Sequence, residues 1–467
     1  MTTANTANQE LRDTALRHLW MQAKGWRDLA EEGEPIIVAD ASGLTVTDTD
    51  GRDWLDVNGG YASVTVGYGR TEIADAVLKQ MSELAYYPEQ TVAPPTIRLA
   101  EKIGQLASGN LERSWLVAGG SEANETAVKM ARAYHSRRGE GGKYKIISRR
   151  GSYHGATGGV AWMGRSPEGV NLADYEPEPP GLVSAPQPNP YRCEFGGTTA
   201  SECAVLCADA LERIILSEGP DTVAAFIGEP ITSSIGAIVP GPEYWPKVRE
   251  ICDRYGVLLI DDEVVCGFGR TGRMFGIEHY GVVPDLMTIA KGLGSSYVPI
   301  GSVVATTEVA DAFVGEGNVF HAALTAGGHP VAAAAALANI DIIEGEGLVA
   351  RSAELGAYFL DLVRDMAASH PVVGDVRGLG LLVGVELITD PETKAGFPTS
   401  FKVVDRMTEK FRRRGLLLRM LSPQILQMAP PLCVTRDEID QIVAGVGSAL
   451  SELETELDSG CLTGRPF

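Results

Sequence analysis

Four short stretches of this chain carry residues whose chemistry asks for an explanation. In Thr288-Ile289-Ala290-Lys291-Gly292-Leu293-Gly294 a lysine directly follows an apolar run and precedes a glycine-rich turn. Burial lowers a lysine pKa, which frees the amine as a nucleophile and suits it to Schiff-base chemistry. In Leu259-Ile260-Asp261-Asp262-Glu263-Val264 three acids end another apolar run, and Gly267-Phe268-Gly269-Arg270-Thr271-Gly272 follows. Buried unpaired charge is costly. Solvation in an exposed turn suits Asp261 and Glu263, but a carboxylate here can also pair with a cation at the sheet's C-terminal edge. Ala118-Gly119-Gly120-Ser121-Glu122-Ala123-Asn124 stops a strand with two glycines and starts a helix near Ser121. The free N–H groups of such a helix start bind phosphate. Tyr153-His154-Gly155, just after a strand, offers a ring that can stack on a flat ligand. Singly, each stretch has a plainer reading as a capped turn, a packed tyrosine, a solvated acid turn or a surface lysine. What sets them apart is their shared placement at the ends of apolar runs.

Those runs are the elements that must position them. Trp115-Leu116-Val117, Lys145-Ile146-Ile147, Ala224 to Ile227, Val257 to Ile260, Leu286 to Ala290 and Ser302-Val303-Val304 read as strands separated by helical stretches. Continuous apolar strands alternating with helices predict an α/β fold with a mostly parallel sheet covered on both faces. Ahead of it, Ile36 to Val38 and Leu44 to Trp54 suggest a small β element, with Asp50-Gly51 as its hairpin turn. The first ten residues read as disordered, and Leu11 to Trp26 as an amphipathic helix. Pro177 to Gly197, rich in Pro and Gly, reads as a surface loop. Val331 to Ile343 predicts a helix leading into a smaller α+β unit, with strands at Leu379 to Leu387 and Leu416 to Arg419.

Bulk properties narrow the partners. The 467 residues carry a net charge of −21, with a pI near 4.8, which disfavours polyanions such as nucleic acid. Arg412-Arg413-Arg414 reads as a solvated helix face. The seven cysteines are odd in number and lack a C-x-x-C pair, which argues against a disulfide framework. Cys266 lies near the proposed site, but no neighbouring His marks it as a nucleophile. No signal peptide and no membrane-length apolar run is visible, so the expected location is the cytoplasm, away from membranes.

Taken together, Gly-Ser-Glu-Ala-Asn, Asp-Glu-Val with Gly-Phe-Gly-Arg-Thr-Gly, and Ala-Lys-Gly, in this order and spacing, resemble the class III aminotransferases from Asp48 to about Leu450. The resemblance implies a fold-type I transferase dependent on pyridoxal 5′-phosphate (PLP). It would have a large domain (71–328) with a mostly parallel sheet. A smaller α+β domain would draw on both chain ends (1–70 and 329–467). It also implies a homodimer, alone or within a tetramer, with both sites at the interface. Lys291 resembles the lysine that anchors the cofactor, and Asp262 the acid paired with its ring nitrogen. Tyr153 resembles the stacking ring and Val264 the residue on the opposite face. Gly120 and Ser121 resemble the phosphate cup, and Thr325 the threonine that reaches the neighbouring subunit's phosphate. Glu229 stands at the family's Glu-Pro position near the cofactor.

The branch is read from three further positions. Relatives resembling ornithine or 4-aminobutyrate aminotransferases carry an arginine where Ile425-Leu426-Gln427-Met428-Ala429-Pro430-Pro431 has Gln427. Arg419, read as the end of the strand Leu416-Leu417-Leu418, instead resembles the arginine by which amine:pyruvate aminotransferases bind the keto acid's carboxylate. Tyr61 stands where many of that branch carry Trp, and Tyr86-Tyr87-Pro88 is expected to line the entrance. The expected substrates are a small amine donor and a keto acid acceptor. Other readings are a 2-oxoglutarate-dependent relative, a same-fold racemase, mutase or decarboxylase, and a catalytically silent binding protein.

Overall fold

The computed structural model describes residues 2–21, 35–88, 91–165, 172–421 and 424–458. The chain opens with a helix, Thr2–His18, where the sequence suggested disorder followed by a later helix. Residues 22–26 and Cys461 lie outside the described residues. Strands are labelled along the chain. β1 (Val38–Ser42), β2 (Thr45–Asp48) and β3 (Asp53–Asp56) form an antiparallel meander. The expected Asp50-Gly51 turn joins the last two, with Gly51 at φ +78°.

The central sheet has seven strands, β4 (Leu111–Val117) through β10 (Gly301–Thr306). Between them lie β5 (Lys145–Arg149), β6 (Leu182–Ala185), β7 (Val223–Gly228), β8 (Leu258–Asp262) and β9 (Leu286–Ile289). Their spatial order is β4-β10-β9-β8-β7-β5-β6. β10 runs antiparallel to both neighbours, and the pairs from β9 across to β6 are parallel. β7, β8, β9 and β10 are buried along their whole length, as strands covered on both faces must be. β6 corrects the sequence reading, which took its Pro- and Gly-rich surroundings for a loop.

The two faces of this sheet build two cores. Leu258 and Ile260 of β8 pack with Ala123, Ala127 and Ala131 of the helix Gly120–Arg137. Leu259, between them, belongs to the other core with Phe226, Met287 and Ile289. The two-residue period of the strand therefore sends Asp262 to one side and Asp261 and Glu263 to the other.

Beyond β10 the chain forms the long helix Pro330–Gly345, as expected. The stretch read as one strand from Leu379 to Leu387 is a hairpin, β11 (Val373–Leu379) and β12 (Leu382–Leu387), turning at Gly380 with φ +57°. The stretch at Leu416 is likewise two strands. β13 (Leu416–Leu417) runs parallel to β3, and β14 (Arg419–Leu421) pairs with β15 (Ile425–Met428) beside β12. Arg419 thus opens a strand of a different sheet rather than closing one. Arg413 and Arg414 pair with Glu452 of the last helix, Arg436–Asp458, so this face is ion-paired rather than merely solvated.

Candidate active site

The four stretches meet at the C-terminal ends of β4, β5, β8 and β9. A Cβ on Gly120 would lie 2.9 Å from Val264 Cγ1 and 3.6 Å from Ala290 Cβ, so the helix start touches both the acid strand and the lysine turn. A Cβ on Gly155 would lie 2.7 Å from Ser121 Oγ, and Ala156 N donates to that same oxygen at 3.1 Å. The Tyr153 turn therefore rests on the helix start, which only glycine at φ +140° permits.

Asp262, at the tip of β8, is the buried centre of a polar network. Its Oδ2 accepts from His154 Nδ1 at 2.7 Å and Asn124 Nδ2 at 2.8 Å. Its Oδ1 accepts from Val264 N at 3.1 Å. Asn124 accepts in turn from Thr288 Oγ1 at 2.7 Å, and Thr288 is Asp262's register partner on β9. Asn124, His154 and Thr288 stand within the stretches singled out above, but the sequence gives none of them a role of its own. Their signal was a polar residue on an otherwise apolar helix face or strand, which pattern alone does not separate from an ordinary satisfied core group.

Lys291 follows β9 with φ +37°, a left-handed backbone costing roughly 1–2 kcal/mol for a residue with a Cβ. The turn is clamped by Leu293 N donating to Ala290 O at 2.8 Å. Asn339 Nδ2 donates to Gly292 O and Leu293 O at 2.8 and 3.0 Å. A side chain on Gly292 would sit 2.8 Å from Phe268 Cβ, which fixes glycine after the lysine. Tyr153 stays partly exposed.

Asp261 and Glu263 are fully buried, which overturns the expectation that water solvates them. Burial, and then the facing Glu263, push the Asp261 carboxyl up. Burial pushes Glu263 up to about 7, against the N–H of Ile277, which donates to its Oε1 at 2.8 Å. Two carboxyls this close do not both ionise at neutral pH. Cys266 is buried, with its thiol donating to Ile231 O at 3.2 Å and its pKa pushed well up by burial.

The remaining site residues lie on the side facing the small sheets. Glu229 is buried, and its Oε2 accepts from Ser233 N and Oγ at 2.9 and 3.0 Å. Burial raises its pKa. Gln427 Nε2 donates to Ser233 O at 2.9 Å, so glutamate and glutamine meet through one serine. Arg419 lies directly across the strand pair from Gln427, with its guanidinium carbon 4.6 Å from the centre of the Tyr61 ring. Tyr61 belongs to a run of four left-handed residues, Gly59 to Ala62. Asp56 holds this turn by accepting from Asn58 N, Gly60 N and Tyr68 Oη at 3.0, 2.8 and 2.7 Å. Thr325 is exposed; its carbonyl accepts from Tyr86 Oη at 3.0 Å.

This donor set fits PLP. Asp262 Oδ2 is filled by two donors, while Oδ1 has one and keeps room to accept from a protonated ring nitrogen. The helix start at Gly119 carries no side-chain cap, and the space beside Gly119 is open. Val264 and Tyr153 supply apolar surface near it, and Lys291 an amine.

Comparison with known proteins agrees. The family model described as aminotransferase class-III matches residues 29–450. The chain is 40% identical over 464 residues to a diaminobutyrate–2-oxoglutarate transaminase of Halomonas elongata, covering 97% of this chain and 98% of that protein. It is 40% identical to a taurine–pyruvate aminotransferase of Bilophila wadsworthia, covering 92% of this chain and 95% of that protein. Among solved structures, an (S)-enantioselective omega-transaminase from Thermomicrobium roseum superposes with a TM-score of 0.90 at 39% identity, covering 96% and 98% of the two chains.

Proposed function

The chain belongs to the class III aminotransferase family, a PLP-dependent group, and on that premise we propose that it moves an amino group from an amine or ω-amino acid to pyruvate, giving alanine and a ketone or aldehyde. The observation that carries this reading is the cross-strand pair Arg419 and Gln427. Pyruvate brings one carboxylate, which a planar guanidinium can hold through two charge-assisted hydrogen bonds. A dicarboxylate such as 2-oxoglutarate brings a second charge. The glutamate-using relatives described above meet it with an arginine, where this chain has Gln427, tied to Ser233. Taurine–pyruvate aminotransferase supports the choice, and the Halomonas elongata relative, named for 2-oxoglutarate, stands for the competing one.

When bound, PLP supplies an electron sink for the substrate's α carbon. Lys291 would anchor it, and Nζ of Lys291 would then be the base that moves the proton between the substrate's α carbon and the cofactor's C4′. Asp262 holds a proton on the ring nitrogen. Gly120 N–H, with the uncapped helix start and Ser121 Oγ, binds the phosphate. Tyr153 and Val264 would flank the ring, and Glu229 would border the substrate side. Arg419 orients the keto acid, and Tyr61 stacks on its guanidinium when no carboxylate is there.

The reading includes a homodimer in which Thr325 of each subunit completes the other's phosphate cup. Leu78, Met81, Tyr86, Tyr87, Val92 and Ile97 are all exposed, an apolar segment that a second copy would cover. A panel of amines assayed with pyruvate and with 2-oxoglutarate, quantifying alanine and glutamate, tests the proposal. Stoichiometric alanine is expected. Faster turnover with 2-oxoglutarate overturns the acceptor, and product without either amino acid points to a racemase, mutase or decarboxylase.

A further inference from the structure

His154 is buried among the site residues. Its Nδ1 lies 2.7 Å from Asp262 Oδ2, while its Nε2 is sealed from solvent with no partner among the described residues. A carboxylate only accepts, so the proton of that bond sits on Nδ1. The same oxygen accepts from Asn124, whose orientation is fixed by donating also to His154 O at 2.8 Å and by accepting from Thr288. Backbone and side chain of residue 154 therefore act on the two ends of one arrangement. The carbonyl steers Asn124, and the imidazole fills Asp262 Oδ2. With Oδ2 saturated by two donors, the less occupied Oδ1 is the oxygen left to face a ligand.

We propose that His154 is a positioning residue that fixes the rotamer of Asp262 and assigns Oδ1 to the cofactor's ring nitrogen. This rests on the reading of Asp262 as the acid beside that nitrogen. Without the imidazole, Asp262 loses one of two donors on Oδ2 and is free to rotate about its Cβ–Cγ bond. Its charge is then shared between two orientations, and the ring nitrogen's proton is held less firmly.

Three variants of the full-length enzyme test this. An asparagine amide nitrogen occupies nearly the place of Nδ1, a glutamine amide nitrogen reaches too far, and leucine supplies no donor. His154→Leu and His154→Gln are expected to weaken PLP binding to the apoenzyme about 10- to 100-fold, the range for losing a hydrogen bond to a charged group. They should also displace the pH titration of the bound cofactor's visible absorbance from that of the wild type. His154→Asn is expected to recover most of both. A merely structural role would move thermal stability without moving the absorbance titration and would show no rescue by asparagine. Asp262→Asn serves as the control. If it leaves affinity and titration unchanged, the reading of Asp262 fails. If it perturbs both while His154→Leu matches wild type, or if asparagine and glutamine behave alike, the role of His154 is refuted.

Discussion

Replacing Arg419 with alanine separates the two halves of the reaction. Removing one partner of a hydrogen-bonded charge pair costs about 2–5 kcal/mol when the pair is buried. Arg419 is only half-buried, which places it at the lower end, about 2–3 kcal/mol. At about 1.4 kcal/mol per factor of ten, pyruvate should lose roughly 30- to 150-fold in kcat/KM. The change also removes the contact with Tyr61, 4.6 Å from the guanidinium to the ring centre. Such a contact is worth about 0.5–1 kcal/mol at an exposed site, so the amine half-reaction should fall by no more than about fivefold. The assay is single-turnover stopped-flow on the cofactor's absorbance, each half-reaction run alone with an uncharged amine or with pyruvate. Gln427→Ala, which removes only the bond to Ser233 O, should spare both rates. Equal losses for amine and pyruvate in Arg419→Ala would refute the carboxylate role and leave Arg419 as a prop for the Tyr61 turn.

Lys291→Ala should fold but form no borohydride-trappable adduct with PLP, and peptide mapping of reduced wild-type protein should place the adduct at Lys291; an adduct elsewhere would overturn the assignment. Glu263 titrates near 4.5 when unfolded and near about 7 in the native protein, so between those values the native state keeps a proton the unfolded chain has released. Stability contributed by that protonated carboxyl is present below the unfolded pKa and lost as pH rises through the window. Glu263→Gln should therefore gain in Tm over wild type more at pH 8 than at pH 5, and an equal difference at both would refute the buried-proton account. Met81→Glu puts charge on the exposed apolar segment and should convert a dimer to inactive monomer by sedimentation; a fully active wild-type monomer would refute the shared phosphate cup.

The central sheet was legible because its strands are buried on both faces, which leaves continuous apolar runs with nothing to disguise them. β6 was not, because a half-buried edge strand among prolines and glycines carries no such run. The three-acid stretch misled in a more informative way. The sequence showed that Asp262 differs from an exposed turn residue, but Asp261 and Glu263 are buried as a pair that holds a proton, and nothing local signals two carboxyls sharing a site. Lys291 and Asp262 could be picked out from their place after apolar runs. Their supports could not, because Asn124, Thr288 and Asn339 act across sequence separations of 138, 164 and 47 residues. The four left-handed residues at Tyr61 were equally hidden: Gly59 and Gly60 permit that conformation, but Asp56 and Tyr68 impose it through the fold.

One relation between the branch-setting positions emerges only in three dimensions. In the sequence, Arg419 and Gln427 are separate features, an arginine present at one position and lacking at the other. In the structure they are register partners on antiparallel β14 and β15. Directly opposed residues of such a pair project from the same face, with Cβ atoms about 4.5–5.5 Å apart, and like charges there repel. A guanidinium at 419 therefore makes a second at 427 unfavourable unless an acid lies between them. Here Glu229, the nearby acid, is turned to Ser233 and is driven by burial toward its neutral form. A neutral amide at 427 is thus the counterpart of the arginine at 419. On the proposed reading, the two positions amount to one choice about where the site places a carboxylate-binding charge.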